Sequence, residues 1–274
     1  MKIAISGKGG VGKTTISSTL ALELSREGKQ VLAIDADPNG NLAQALGYDA
    51  EKQGRIKPLI ERRDIIEERT GAKTGDFGGM FVMNPKVDDF IDRFALDIRG
   101  LKLMVTGELR EALSGCYCPE NSVLRSFIGH LFMEREEWVL LDMEAGFEHL
   151  TRGTAESVDI LLVVVEPGQR AILTAKKINV LADQIGIPKV GFILNKVHGD
   201  EQKKTMIEIM SGLNILTTIP FDITAVKADL EGKAHFDECP LIIEAIRELK
   251  QILLDLSKSM IKNGKFGRVA VGNQ

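Results

Sequence analysis

The chain is poor in the residues that would suggest several common classes of protein. It has three Cys, two Tyr and one Trp among 274 residues. An odd, small cysteine count with no secretory signal points to a reducing compartment, where cysteines act as metal ligands, catalytic thiols or core residues rather than as a disulfide framework. No run of about eighteen apolar residues is present, so no transmembrane helix is expected. The first residues enter an apolar strand pattern at once, which leaves no room for a signal peptide, and the expected location is cytoplasmic. Basic charge is not in excess: 35 Lys and Arg stand against 39 Asp and Glu, a net charge of −4. That balance argues against nucleic acid or an anionic membrane as partner. The four histidines (His130, His149, His198, His235) are scattered and form no metal store. There is no internal repeat. What remains is a chain with 44% hydrophobic residues, long enough for one large α/β domain with a full core.

The most informative stretch is Gly7-Lys8-Gly9-Gly10-Val11-Gly12-Lys13-Thr14, followed by Thr15. It is preceded by the apolar run Ile3 to Ile5 and followed by a helical pattern from Thr15 to Glu27 that stops at Gly28. Strand, glycine loop ending in Lys-Thr, and helix is the layout of a phosphate-binding loop. Backbone N–H groups of such a loop curl around triphosphate oxygens, and the helix start adds the positive end of its dipole. Lys13 is expected to reach the β- and γ-oxygens and the Thr14 hydroxyl to hold Mg²⁺. Lys8 comes too early in the loop to fold back easily on its own phosphates. It is better placed to project toward a nucleotide held by a second copy, as an arginine-finger equivalent. With this early lysine the loop resembles that of the deviant-Walker ATPases: the cell-division and partition ATPases, the nitrogenase iron protein and metal-insertion ATPases. The resemblance implies that Lys8 crosses a nucleotide-dependent dimer interface.

Further apolar runs end in acids. Gln30 to Asp35 reads as a buried strand leading into Asp35-Ala36-Asp37-Pro38-Asn39-Gly40. Acids at the carboxyl ends of parallel strands sit where such sheets bind ligands. Asp37 is the candidate to orient the attacking water, with Asp35 supporting the Mg²⁺ hydration shell. The same residues are good turn chemistry. Trp138 to Asp142 repeats the pattern at the Walker B position and makes Asp142 a Mg²⁺ ligand, direct or through water. Met143-Glu144-Ala145-Gly146 follows as a segment able to sense the γ-phosphate. Leu101–Val105, Ile160–Val165, Val190–Leu194 and Ile215–Ile219 are continuous apolar runs without alternation, hence strands covered on both faces. Helices are expected at 41–47, Lys57–Arg69 and Asn121–Phe132, while 71–100 is less periodic. The expected fold is a single-domain, doubly wound, mostly parallel sheet with helices on both faces, a P-loop NTPase fold.

At Asn195-Lys196-Val197-His198 a guanine-reading Asp would stand where His198 is, and a histidine cannot bond guanine in two places. ATP is therefore preferred, with Asn195 as a candidate adenine contact or a helix cap, and with Lys196 beside it as a nucleotide-binding residue. Phe221 and Asp222 are expected to border the base. From Leu241, a stripe of Ile242, Ile246, Leu249, Leu253, Leu256 and Met260 forms an amphipathic helix. Its polar face mixes acids with bases, so docking on the domain is expected over membrane binding. The domain is read as 1–262, with 263–274 a glycine-rich, frayed tail.

Cys116-Tyr117-Cys118 sits between a strand and a helix. Residues i and i+2 of extended backbone project to one side, about 6.6 Å apart at ~3.3 Å rise per residue. Two thiolates supply half of a four-coordinate site, and the same pair from a two-fold partner would supply the other half. Zn²⁺ and Ni²⁺ both suit such a set; the alternative reading is two unligated cysteines in a loop. Cys239, before Pro240, reads as inert. The combination of the loop, Cys-Tyr-Cys, Asn84-Pro85-Lys86-Val87 and the stretch from Asp142 to Ala155 (Asp-Met-Glu-Ala-Gly-Phe-Glu-His-Leu-Thr-Arg-Gly-Thr-Ala) resembles the CooC-type accessory ATPases of carbon monoxide dehydrogenase. The resemblance implies an ATP-hydrolysing homodimer that assists nickel insertion and binds metal at Cys116 and Cys118. An iron-protein-like electron carrier is the first alternative. Its family places a second cluster cysteine seven residues beyond the Walker B Asp, where this chain has His149. A positioning ATPase of the cell-division type is the second, and it would want the basic surface or tail that is missing.

Overall fold

The computed structural model describes residues 1–37, 40–49, 56–72, 80–107, 119–134, 137–143 and 158–262. In chain order the elements are β1 (Lys2–Ser6), α1 (Lys13–Arg26), β2 (Val31–Asp35), α2 (Leu42–Ala45), α3 (Arg63–Thr70), α4 (Phe90–Phe94), β3 (Leu96–Ile98), β4 (Leu101–Val105) and α5 (Pro119–Glu134). They continue with β5 (Trp138–Asp142), β6 (Ile160–Val165), α6 (Gln169–Ile185), β7 (Val190–Val197), α7 (Gly199–Ile209), β8 (Ile215–Pro220), α8 (Ile223–Leu230), α9 (His235–Glu238) and α10 (Pro240–Lys262). The eight strands form one sheet in the order β3-β4-β2-β5-β1-β6-β7-β8. Every pairing is parallel except β3 with β4.

The unbroken apolar strands are explained by two cores. In β6, Leu161, Val163 and Val165 enter the core under α5 and α6, while Ile160, Leu162 and Val164 enter the one under α1 and α10. Strand β5 divides in the same way, with Val139 and Leu141 on one face and Trp138 and Leu140 on the other. Each such side chain contributes about 1.5–3 kcal/mol on burial, so a strand buried on both faces has no position left for a polar residue. Polar residues are therefore displaced to the strand ends, and at the carboxyl edge they become the site.

The C-terminal stripe docks as expected. Ile242, Ile246, Leu249 and Leu253 are buried in the α1 core. Behind them the buried Glu23 of α1 accepts from Arg247 Nε at 3.2 Å and Lys250 Nζ at 3.1 Å. No helix among the described residues is long and apolar enough to cross a membrane. Residues 263–274 lie outside the described set.

Two elements differ from the sequence expectation. Lys57–Arg69 is not one helix: a short 3₁₀ turn at Leu59–Glu61 precedes α3, with a break at Arg62 (φ −84°, ψ 76°). Ile60 donates its N–H to the Thr106 carbonyl at 3.2 Å, so a tertiary bond takes the donor a continuous helix would use. Strand β3 went unread. It returns antiparallel onto β4 through Arg99 (φ 49°) and Gly100 (φ 85°), with Ile98 opposite Leu101. Two positive φ values are the turn that fits a two-residue hairpin, and an arginine in the first of them hides it.

Candidate nucleotide site

The loop joining β1 to α1 lies at the middle of the carboxyl edge, between β5 and β6. Gly7 is held against β6, where an added Cβ would meet the Val164 carbonyl. Gly12 (φ 97°) stands at the start of α1, and a Cβ there would strike the Asn195 side-chain amide. These two positions require glycine for both conformation and space. No side chain caps α1, so the free N–H groups of its first turn face the loop's concavity. Lys13 is buried, with Nζ 3.5 Å from the Lys8 carbonyl. The Ser17 hydroxyl donates to the Lys13 carbonyl at 2.9 Å and braces that first turn.

Asp35 and Asp142 face one another across the paired ends of β2 and β5. Asp35 Oδ1 accepts from the Asp37 N–H at 3.2 Å and Oδ2 from the Leu42 N–H at 3.0 Å. The carboxylate thus shapes the turn that carries Asp37. Burial outweighs these bonds and pushes its pKa up to about 6. Asp142 is buried, and among the described residues neither carboxylate oxygen has a hydrogen-bond partner. Burial first, then the Asp35 charge, pushes its pKa up to about 7, while the hydroxyls of Thr14 and Ser17 and the Lys13 ammonium pull it down. The Ser17 proton is directed to the Lys13 carbonyl, and among the described residues neither that hydroxyl nor the Thr14 hydroxyl meets Asp142 in hydrogen-bond geometry. A buried carboxylate with two orphaned oxygens beside a second acid and the Thr14 hydroxyl suits a hard divalent cation and its water shell.

On the other side, strand β7 slips its register against β8 between Leu194 and Val197. A bulge of this kind re-aims side chains, and Asn195 and Lys196 fall within it. Asn195 Nδ2 donates to the Val11 carbonyl at 2.7 Å, a buried bond. Lys196 Nζ donates to the Gly10 carbonyl at 2.6 Å. Lys196 has φ 58°, a left-handed conformation that costs a non-glycine residue roughly 1–2 kcal/mol. Asn195, the candidate base contact, and Lys196 therefore both grip the phosphate loop, and Asn195 keeps its carbonyl oxygen and one amide N–H for a base. A cavity of about 480 Å³ runs from Gly12, Lys13 and Asp37 past Asn195 to Phe221, Asp222, Val226, Asp229 and His235. Phe221 stacks on His198 with ring centroids 4.4 Å apart. Asp222 caps α8, accepting from the Thr224 N–H at 2.9 Å, and its Oδ2 has no partner among the described residues.

Lys8 extends along its own chain, with Nζ 3.7 Å from Glu166 Oε1. Glu166 was not anticipated, although it follows β6 as Asp142 ends β5, so the strand-end rule could have found it. Thr106, after β4, was also missed. Its N–H and hydroxyl both donate to the Asp35 carbonyl, at 2.9 and 3.1 Å. Cys239 is fully buried, and burial raises its thiol pKa. Cys116, Cys118 and Glu144–Gly146 lie outside the described residues.

A glycine loop between a central strand and a helix, with two strand-end aspartates beside it, makes this a P-loop ATPase of the deviant-Walker type. Residues 2–236 match the model of the CobQ/CobB/MinD/ParA nucleotide binding domain, and the chain belongs to that family. Its relatives include the carbon monoxide dehydrogenase accessory protein CooC of Rhodospirillum rubrum, 42% identical over 93% of this chain and 97% of that one. An uncharacterized ATP-binding protein of Methanocaldococcus jannaschii is 46% identical over 85% of this chain and 90% of its own length. Among solved structures, the MinD cell division protein of Aquifex aeolicus superposes with a TM-score of 0.65 at 22% identity, covering 93% of this chain and 98% of that one. MinD of Pyrococcus horikoshii, complexed with Mg-ADP, gives 0.64 at 20% identity over 93% and 97% of the two chains.

Proposed function

We propose that the protein is a nucleotide-switched ATPase that assists maturation of carbon monoxide dehydrogenase, carrying nickel or zinc between two copies on Cys116 and Cys118. The likeness to CooC supports the client. The observation that carries the switch is the bond between Asp35 and Thr106. One strand end shapes the turn bearing Asp37, and its carbonyl anchors the first residue of the connection that leads to the cysteine pair.

The loop amides and Lys13 hold the β- and γ-phosphates of ATP. Asp142, Asp35 and Thr14 would hold Mg²⁺, which when bound offsets phosphate charge. The carboxylate of Asp37 orients water for attack on the γ-phosphorus, and Lys8 of a second copy draws off developing charge. Asn195 through its remaining amide oxygen and N–H, Phe221 and Asp222 enclose the adenine. Loss of the γ-phosphate relaxes the turn from Asp35 to Asp37, and through Thr106 the cysteine pairs of the two copies separate. Four thiolates become two and two, and the metal is released to its client. Every 1.4 kcal/mol of such coupling changes metal affinity about tenfold.

The test replaces Cys116 and Cys118 together by Ala. The expected result is loss of roughly one Ni²⁺ or Zn²⁺ per dimer, with ADP affinity unchanged, measured by metal analysis and calorimetry on the same sample. Metal retained by the double variant would overturn the reading.

A further inference from the structure

Glu166 is the one acid that the described residues set against two lysines of the phosphate-loop region. Its Oε1 lies 3.7 Å from Lys8 Nζ and its Oε2 lies 3.6 Å from Lys196 Nζ. Lys196 also holds the Gly10 carbonyl from its left-handed position. Glu166 follows a strand that is buried throughout, so its backbone is fixed while its side chain is partly exposed. Lys8, by contrast, sits on a half-exposed loop and can leave.

We propose that Glu166 is a positioning residue that parks Lys8 on its own protomer until a second copy presents a triphosphate. The inference rests on the reading of Lys8 as a cross-subunit contact. A lysine has one charge to place. Held by Glu166 it is turned along its own chain, and drawn to a partner's phosphates it leaves Glu166 to Lys196, which stays on the loop. A triphosphate carries more charge than one carboxylate and competes for Lys8, whereas the diphosphate lacks the outermost group and competes less well. The ion pair is thereby a brake on dimerisation that ATP releases more readily than ADP does. Exposed pairs of this kind are weak, which suits a contact that must break.

Two measurements on Glu166→Gln test this, with Glu166→Ala as a second variant should the first fold poorly. In the apo protein, acetylation of Lys8 followed by mass spectrometry is expected to accelerate about two- to fivefold, the range an exposed ion pair supports, while the rate at buried Lys13 stays constant. With a non-hydrolysable ATP analogue, the dimer followed by sedimentation is expected to tighten about tenfold. One pair is lost per protomer, so the effect of about threefold enters twice. ADP affinity of the protomer is expected to hold. An unchanged Lys8 acetylation rate overturns the proposal. So does an accelerated rate with no change in dimerisation, provided that Lys8→Ala weakens the dimer. If Lys8→Ala dimerises as the wild type does, the cross-subunit role of Lys8 falls first, and the brake falls with it.

Discussion

The two ends of the nucleotide cavity are built from different materials. At the phosphate end the wall is main chain and buried charge. Gly7 and Gly12 admit backbone and side-chain atoms where a Cβ would collide, and Asp35, Asp142 and Lys13 are shut away from solvent. At the proposed base end the wall is largely exposed side chain: Phe221 is 36% and Val226 45% exposed, and His198 stacks on the first of these. Phosphate is the same in every nucleotide and is met by fixed dipoles, whose positions a dense core can hold. A base is flat, weakly polar and bound by contact area, which surface residues of many kinds can provide. The phosphate end therefore buries two acids and a lysine, whereas the proposed base end buries the single acid Asp222.

That asymmetry can be broken by substitution. Lys13→Ala removes the buried cation proposed to meet the β- and γ-oxygens, and ATP affinity by calorimetry is expected to fall roughly a hundredfold, near 3 kcal/mol for a charged hydrogen-bonding group. A loss no greater than that at the base end would erase the contrast.

Asp142→Asn acts in two opposite directions. The Asp142 and Asp35 pKa values are raised to about 7 and about 6 by burial, so the fold favours their protonated forms over the unfolded chain. Their contribution to stability is fully present below about pH 4 and is lost as pH rises through 6 and 7. The apo protein is thus expected to lose melting temperature across that window from these groups, and Mg²⁺ with ADP to restore it, because a bound cation favours the ionised form. Asp142→Asn should stabilise the apo protein at pH 7.5 by on the order of 2–4 kcal/mol and remove the Mg²⁺ response. Calorimetric scans with and without Mg-ADP decide this, and a destabilised Asn variant would show that the carboxylate is satisfied in a way the geometry does not reveal.

The smallest effect is at the base end. Phe221→Ala is expected to weaken ATP by about fivefold, near 1 kcal/mol of lost stacking, and to leave the pH response of the melting temperature untouched. A loss as large as that of Lys13→Ala would mean that the base end, too, is a fixed part of the site.

The sequence was a good guide to the buried strands and a poor one to the direction of the side chains at the end of β7, for a physical reason. Strands β4, β5 and β6 stand at the residues where apolar runs placed them, because a strand buried on both faces admits no polar residue. Asn195 and Lys196 line the cavity, and the sequence did not show that both also bond the loop. Their direction depends on a register slip between β7 and β8, and nothing in the residues from Val190 to His198 signals a bulge. The hairpin of β3 was missed because Arg99 occupies a position at which glycine or asparagine would have announced the turn.

By itself the sequence determined the glycine loop, its lysine and threonine, and the order of buried strands ending in acids, because steric exclusion and burial act on each residue where it stands. Tertiary structure alone decided that Asp35 and Asp142 face each other with no partner for the second, that Thr106 bonds the strand bearing the first, and that Glu166 receives Lys8. Those relations join residues far apart in the chain, and they exist only once the strands have been laid side by side in an order that no local pattern encodes.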